Sequence, residues 1–230
     1  MKITLITGGN KGLGYEAARR LIELGHKVYI GARNEELGEK AAAELGAEFV
    51  QLDVTKDDSV NVAVEQILKN EGRLDVLINN AGISGGFSKV EDITVETMRH
   101  VYETNVFGIV RVINAFVPLL RKSESPVIVN VTSGLGSFGM VTNPETVESK
   151  VNALAYTSSK SAVTMLTVQY AKGLPDIRVN AADPGATKTD LTGFGNQTVT
   201  EGTDAIVKLA TIGKDGPTGI FINREGILPW

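Results

Sequence analysis

Short β-rich runs alternate with helix-patterned segments along almost the whole of this chain, and that alternation limits the folds open to it. Residues 2–7 read as a strand. Residues 12–24 read as a helix with Leu13, Ala17, Ala18, Leu21 and Ile22 on one face. The pattern continues with strand 26–31, helix 35–45, strand 48–52, helix 57–70 and strand 74–79. Helices over 94–106 and 107–121 precede strand 127–132, helix 153–172 precedes strand 178–182, and helix 201–209 precedes strand 219–222. Strands joined by helix-length crossovers pair in parallel through right-handed βαβ units, so a doubly wound α/β fold is expected. No repeat, low-complexity block or linker divides the 230 residues, which are expected to form a single domain over 1–230.

Composition narrows the partners. The formal charge of −4 and a pI near 5.3 give no basic surface for nucleic acid or an anionic membrane, and neither is expected as a partner. The absence of cysteine removes disulfides, thiolate metal sites and a thiol nucleophile. The apolar run at the N-terminus is too short for a signal peptide, and no window holds the roughly 18 uninterrupted apolar residues of a membrane span. A soluble, cytoplasmic protein without a metal centre is the expectation.

Ligands of open α/β sheets bind outside the carboxyl ends of the strands, where this chain places its glycine-rich and polar stretches. Thr7-Gly8-Gly9-Asn10-Lys11-Gly12-Leu13-Gly14 joins the first strand to the first helix. Glycines let a backbone approach a diphosphate, and a helix N-terminus offers free N–H groups. A ligand-free turn can have the same composition; position after an N-terminal strand favours dinucleotide binding. Gly31-Ala32-Arg33 ends the second strand without the acidic residue that would hold a ribose 2′-hydroxyl. Arg33, aided by Lys11, suits a 2′-phosphate, although two solvated charges read the same way. Asp53, followed by Val54, ends the third strand and can bond an adenine amino group or cap the next helix. Asn79-Asn80-Ala81-Gly82 ends the fourth with two adjacent amides that need partners. Asn105 lies in a helix interrupted at Gly108 and can anchor a water chain or tie two helices together. Ser133 follows the fifth strand. The glycine- and proline-bearing loops over 134–151 and 183–200 are expected to border the same edge.

Tyr156-Thr157-Ser158-Ser159-Lys160 places a phenol and an ammonium four residues apart, on one face if the stretch is helical. Free Tyr and Lys titrate near about 10 and 10.4. A fixed cation favours the phenolate, so Lys160 is expected to lower the Tyr156 pKa toward a working pH.

In their order and approximate spacing, residues 7–14 and 79–82, Asn105, Ser133, Tyr156-x-x-x-Lys160 and Pro184-Gly185 resemble the short-chain dehydrogenase/reductase family over essentially the whole chain. Lys11 with Arg33, the stretch 184–190 and the closing Gly216-Pro217-x-Gly219 resemble its NADPH-dependent carbonyl reductase branch. The resemblance implies a Rossmann-like fold whose seven-stranded, mostly parallel sheet has the order 3-2-1-4-5-6-7, and an oxidoreductase that reduces carbonyls with NADP(H). It implies a dinucleotide-binding and catalytic domain in which Gly8, Asn10, Lys11, Gly12, Leu13 and Gly14 hold phosphates. Arg33, Asp53 and Val54 would then serve the adenosine end, and Asn80, Ala81 and Gly82 would line the cofactor. Pro184, Gly185, Thr187 and Thr189 would embrace the nicotinamide carboxamide. Ser133 would hold the substrate oxygen, Tyr156 would donate a proton, Lys160 would bind the nicotinamide ribose, and Asn105 would hold a water connecting Lys160 to solvent.

Ser133 and Tyr156 are 23 positions apart, where members of the family commonly have about a dozen, a difference that loop insertion tolerates. That segment leaves both a homo-oligomer and a monomer open. With a short stretch over 191–200, it suggests a permissive pocket for hydrophobic aldehydes or ketones, with Phe138, Met140 and Phe194 as walls or as loop packing. The favoured substrate is a small aldehyde, ketone or quinone. The competing readings are a ketoreductase of 3-oxoacyl thioesters and a non-catalytic NADP-sensing protein, the latter disfavoured by the presence of Ser133, Tyr156, Lys160 and Asn105.

Overall fold

Ile3–Thr7 (β1) is buried along its whole length, as a central strand must be when helices cover both faces of a parallel sheet. The computed structural model describes residues 1–230 other than Phe87, Asp190, Leu191, Thr192 and Phe194. After β1 come Gly12–Glu23 (α1), Lys27–Ala32 (β2), Glu35–Leu45 (α2), Glu48–Gln51 (β3), Asp57–Glu71 (α3) and Val76–Asn79 (β4). Val95–Tyr102 (α4), Gly108–Leu120 (α5), Val127–Val131 (β5), Phe138–Val141 (α6) and Leu154–Gly173 (α7) follow. Arg178–Ala182 (β6), Val199–Gly202 (α8), Asp204–Ala210 (α9) and Phe221–Ile222 (β7) complete the chain.

The sheet order is β3-β2-β1-β4-β5-β6-β7, as expected, with every neighbouring pair parallel. Side chains alternate across it. Leu5, Leu77, Ile128 and Val179 pack against Ile67, Ile113, Phe116 and Val163 of α3, α5 and α7. Ile6, Val28, Ile78 and Val129 meet Ala17, Leu21, Ala41 and Ile206 of α1, α2 and α9. The carboxyl ends of β1, β4, β5 and β6 therefore open on one edge, between the two helical layers.

Four local expectations change. The two helices expected over 94–121 are one continuous helix, α4 running through a π-helical turn at Glu103–Phe107 into α5. Gly108 does not break it: its backbone is helical, and its missing Cβ leaves room for Val54. This helix over Val95–Leu120 has the length and mean hydropathy (1.3) of a membrane span, yet half of its most apolar window is buried within the protein, as in a core helix. The loop expected over 134–151 contains 3-10 turns at Gly134–Gly136 and Glu148–Lys150 as well as α6, whose first turn is capped by Ser137 Oγ accepting from Met140 N at 3.0 Å. The helix expected over 201–209 is two pieces, and Thr198 with Glu201 forms a capping box at the first. Finally, β7 is only two residues long. Ile220 N turns away to the Asn180 side chain at 3.1 Å rather than extending the ladder.

Candidate active site

A cleft of about 370 Å³ lies along the carboxyl edge of the sheet. Gly8 forms its floor with φ +64°, and a Cβ there would stand 3.1 Å from Ala81 Cα. Gly14 is closed to any larger residue as well, since a Cβ would meet Asn80 Nδ2 and the Gly8 carbonyl at 2.6 Å. Asn80 and Thr7 hold this turn reciprocally. Asn80 Nδ2 donates to the carbonyls of Thr7 and Gly8 (3.0 and 3.1 Å), while Thr7 Oγ1 accepts from the backbone N–H groups of Asn80 and Ala81 (both 3.0 Å). The other amide of the pair is structural. Asn79 Nδ2 donates to Asn130 Oδ1 and Asn130 Nδ2 to Thr167 Oγ1, each at 2.9 Å, joining β4, β5 and α7.

The N-terminus of α1 faces this turn with no side-chain cap, which leaves its first N–H groups and the positive end of its dipole for an anionic ligand. At the outer end the cleft is bordered by Lys11, Ala32 and Arg33, and then by Asp53 and Val54. Asp53 does not cap α3, whose N-cap is Lys56. Its Oδ1 instead accepts from Thr55 N and Thr55 Oγ1 at 2.9 and 2.7 Å, an Asx turn that fixes its carboxylate at the cleft wall. Backbone donors, two cations and closely approaching glycines form a set that fits a dinucleotide.

The inner end is formed by α7 crossing the end of β5. Thr132 Oγ1 donates to the Lys160 carbonyl at 3.1 Å, and Lys160 Nζ donates to the Val131 carbonyl at 2.9 Å. Lys160 is only 4% exposed, and its Nζ lies 5.6 Å from the centroid of the Tyr156 ring one turn earlier. Part of the Tyr156 surface opens on the cleft, and the Ser133 hydroxyl acts on its phenol, favouring the ionised form. Ser133 Oγ accepts from Leu135 N at 3.2 Å. Burial and then the negative Asp183 push the phenol up to about 12, against the lowering effect of Ser133. Burial brings the Lys160 ammonium down to about 8, with Asp183 opposing. The expected lowering of Tyr156 by Lys160 is therefore not found: desolvation of the buried phenolate dominates, and an amine that titrates at about 8 is already neutral at the pH where this phenol would ionise. At neutral pH the site holds a protonated phenol, poised to donate, beside an ammonium.

Asn105 is fully buried in the π-helical turn. Its Oδ1 accepts from Ile83 N at 2.8 Å, and its Nδ2 donates to the Ile83 carbonyl at 2.9 Å and to Ser159 Oγ at 3.0 Å. Asn105 thus ties the segment after β4 to α7. Gly82 lies between it and Lys160: a Cβ on Gly82 would be 3.5 Å from Asn105 Oδ1 and 3.6 Å from Lys160 Nζ.

Of the residues singled out in the sequence, Gly8, Asn10, Lys11, Gly12, Leu13, Arg33, Asp53, Val54, Asn80, Ala81, Gly82, Tyr156, Lys160, Pro184 and Thr189 line the cleft. Gly14, Asn105, Ser133, Gly185 and Thr187 do not. Gly14 permits packing beneath the turn, Gly185 shapes the bend after β6, and Thr187 Oγ1 donates to the Pro184 carbonyl at 2.8 Å, bracing the segment that presents Pro184 and Thr189. Phe138 is 68% exposed and lies outside the cleft lining; Met140 sets its methyl over Gly134; Phe194 is outside the described residues. Leu52, Thr55, Ile83, Thr104, Val131 and Thr132 also line the cleft and are not among the predicted site residues. Strand-end position would have found Val131 and Thr132, whereas Thr104 depends on the π-helical turn and has no local signal.

The family model for short chain dehydrogenase matches residues 2–200. A (+)-neomenthol dehydrogenase of Capsicum annuum is 31% identical, the match covering 98% of this chain and 96% of that protein. The crystal structure of an NADPH-bound carbonyl reductase from chicken fatty liver superposes with a TM-score of 0.86 at 29% identity, covering all of both chains. A 3-ketoacyl-(acyl-carrier-protein) reductase from Brucella melitensis, complexed with NADH, superposes with a TM-score of 0.84 at 27% identity over 96% of each chain. The chain belongs to the short-chain dehydrogenase family. It is an oxidoreductase of the alcohol/carbonyl pair, on the fold and strand-edge cleft described above.

Proposed function

We propose that the protein is an NADPH-dependent reductase of aldehyde, ketone or quinone carbonyls, with Tyr156 as the proton donor. The observation that carries this reading is the Tyr156 phenol, held protonated by burial and set beside the Lys160 ammonium, at the inner end of a cleft whose outer end is bordered by Lys11 and Arg33.

When bound, NADPH would supply the hydride. Ser133 and Tyr156 present two hydroxyl donors to the carbonyl oxygen, stabilising charge as it develops there. Tyr156 then releases its proton to that oxygen, acting as a general acid. Lys160 holds a positive charge beside the phenolate so formed and offers an ammonium donor to a ribose hydroxyl. Ala32 leaves the end of β2 without an acid, and Arg33 and Lys11 supply cations suited to a 2′-phosphate.

The test is an NADPH-oxidation screen over aldehydes, diketones, quinones and acyl thioesters, repeated with NADH. Turnover of free carbonyls with NADPH preferred supports the proposal. Turnover of thioesters alone would favour the ketoreductase reading, to which the Brucella structure lends support. No oxidation of either cofactor with any carbonyl would sink both.

A further inference from the structure

Asp183 is a buried carboxylate, 4% exposed, that the proposed reaction does not use. It is the first residue after β6, and that position sets its surroundings. Ala182 before it pairs with Val131, the residue whose carbonyl receives Lys160 Nζ, and Thr132 N donates to the Ala182 carbonyl at 2.8 Å. On the other side, Asp183 N is tied to the Ile222 carbonyl of β7 at 2.8 Å. Its carboxylate accepts from Gly185 N at 2.9 Å, and the Gly134 N–H acts to lower its pKa. Gly134 directly follows Ser133, and Gly185 belongs to the bend that presents Pro184. One buried side chain thereby fixes the bend after β6, in the strand next to the one whose last carbonyl holds Lys160.

The charges around it are few. Those that interact with it are Lys160 and Tyr156 of α7 and Glu148 of the 3-10 turn Glu148–Lys150. The adjoining Val131 and Thr132 at the end of β5, and Ile222 of β7, are uncharged. Lys160 makes no ion pair within 4 Å among the described residues, and its Nζ donates to a neutral carbonyl. A buried ammonium in that position needs a nearby anion to remain charged.

We propose that Asp183 is a positioning residue of the reaction centre, fixing the Pro184 turn and supplying the negative charge that keeps Lys160 an ammonium inside the protein. Its bearing on catalysis rests on the reductase reading; its effect on Lys160 does not. Asp183 raises the affinity of both Lys160 and Tyr156 for their protons; its own pKa is raised, chiefly by burial, with the Gly185 and Gly134 N–H groups and Lys160 opposing and Glu148 adding to the rise.

The experiment titrates Lys160 directly, in the protein alone, by NMR of labelled lysine side chains, the signal being assigned by its loss in Lys160→Met. Asp183→Ser keeps a hydroxyl acceptor for Gly185 N and removes the charge; Asp183→Asn is the closer isostere. In a variant that retains the wild-type circular dichroism, the Lys160 midpoint should fall from about 8 by on the order of one pH unit. The alkaline limb of kcat/KM should move down with it. An unmoved midpoint overturns the proposal, leaving Asp183 merely structural; a shifted midpoint with an unmoved limb overturns its part in the reaction. Should neither variant fold, the reciprocal measurement decides, since coupling between two sites is mutual. The Asp183 carboxyl midpoint should rise in Lys160→Met, and no change there overturns the proposal. Failure of the cofactor screen would instead remove the reductase reading and leave the Lys160 titration standing.

Discussion

Lys160 Nζ and the Val131 carbonyl oxygen lie 2.9 Å apart, so the ammonium is fastened to the last residue of β5. One of its three donors is engaged with the sheet, and the charge is fixed beside Tyr156. Burial brings this ammonium down to about 8. A lysine is charged below its pKa and neutral above it, so the positive charge is present at neutral pH and is lost as pH rises through about 8. The kcat/KM of carbonyl reduction, which reports groups of the free enzyme, is expected to fall above about pH 8. Lys160→Met should lower activity and abolish that limb. A limb that survives in the variant would assign it to another group.

Tyr156→Phe removes the phenolic proton and leaves the ring in the cleft wall. General-acid catalysis contributes about 10²–10⁴-fold, and kcat should fall by that factor or more. NADPH affinity, read by fluorescence titration, should be nearly unchanged, because the glycine-rich turn, Arg33 and Lys160 are untouched. Activity near that of the wild type in this variant would remove Tyr156 from the chemistry.

Arg33 is exposed at the end of β2, at the outer end of the cleft. Arg33→Asp replaces a cation with an acid that repels a 2′-phosphate and can bond a 2′-hydroxyl. A charge-assisted hydrogen bond contributes about 1.5–3 kcal/mol, so NADPH preference over NADH should drop by about ten- to a hundredfold. Measured kcat/KM for both cofactors checks this; an unchanged ratio would place the phosphate elsewhere.

Legibility in the sequence followed how local the physics is. The turn over residues 7–14 could be read because tight strand-to-helix geometry demands glycine, and Gly8 and Gly14 have no room for a Cβ. Sheet order was legible once the alternation and the ordered motifs were taken together. The resting state of Tyr156 was not: it depends on burial and on Asp183, 27 positions away in sequence, and a four-residue spacing contains neither. Glu148 was equally hidden, and Met140, open as a wall or as loop packing, is loop packing: the internal hydrogen bonds of the 137–151 segment, such as Thr146 Oγ1 to the Met140 carbonyl at 2.7 Å, set both against Gly134. The π-helical turn at Asn105 shows no sign in local propensity, and the sequence suggested an interruption at Gly108 instead.

Asn105 makes a final distinction testable. Its side chain satisfies the buried N–H and carbonyl of Ile83 and also donates to Ser159 Oγ, which suits a tie between segments; the Gly82 gap between its Oδ1 and Lys160 suits a water link as well. Asn105→Leu keeps the volume and removes all three bonds. Each buried polar group left unpaired costs about 1–3 kcal/mol, so the variant should lose about 2–4 kcal/mol of stability, read from the urea midpoint at constant m-value. Asn105→Asp keeps the acceptor for Ile83 N but loses both donations and buries a charge, so its stability should recover as pH falls and the carboxyl is protonated. If Asn105→Leu retained full stability and lost only kcat, the tie would be dispensable and Asn105 would act through Lys160 alone.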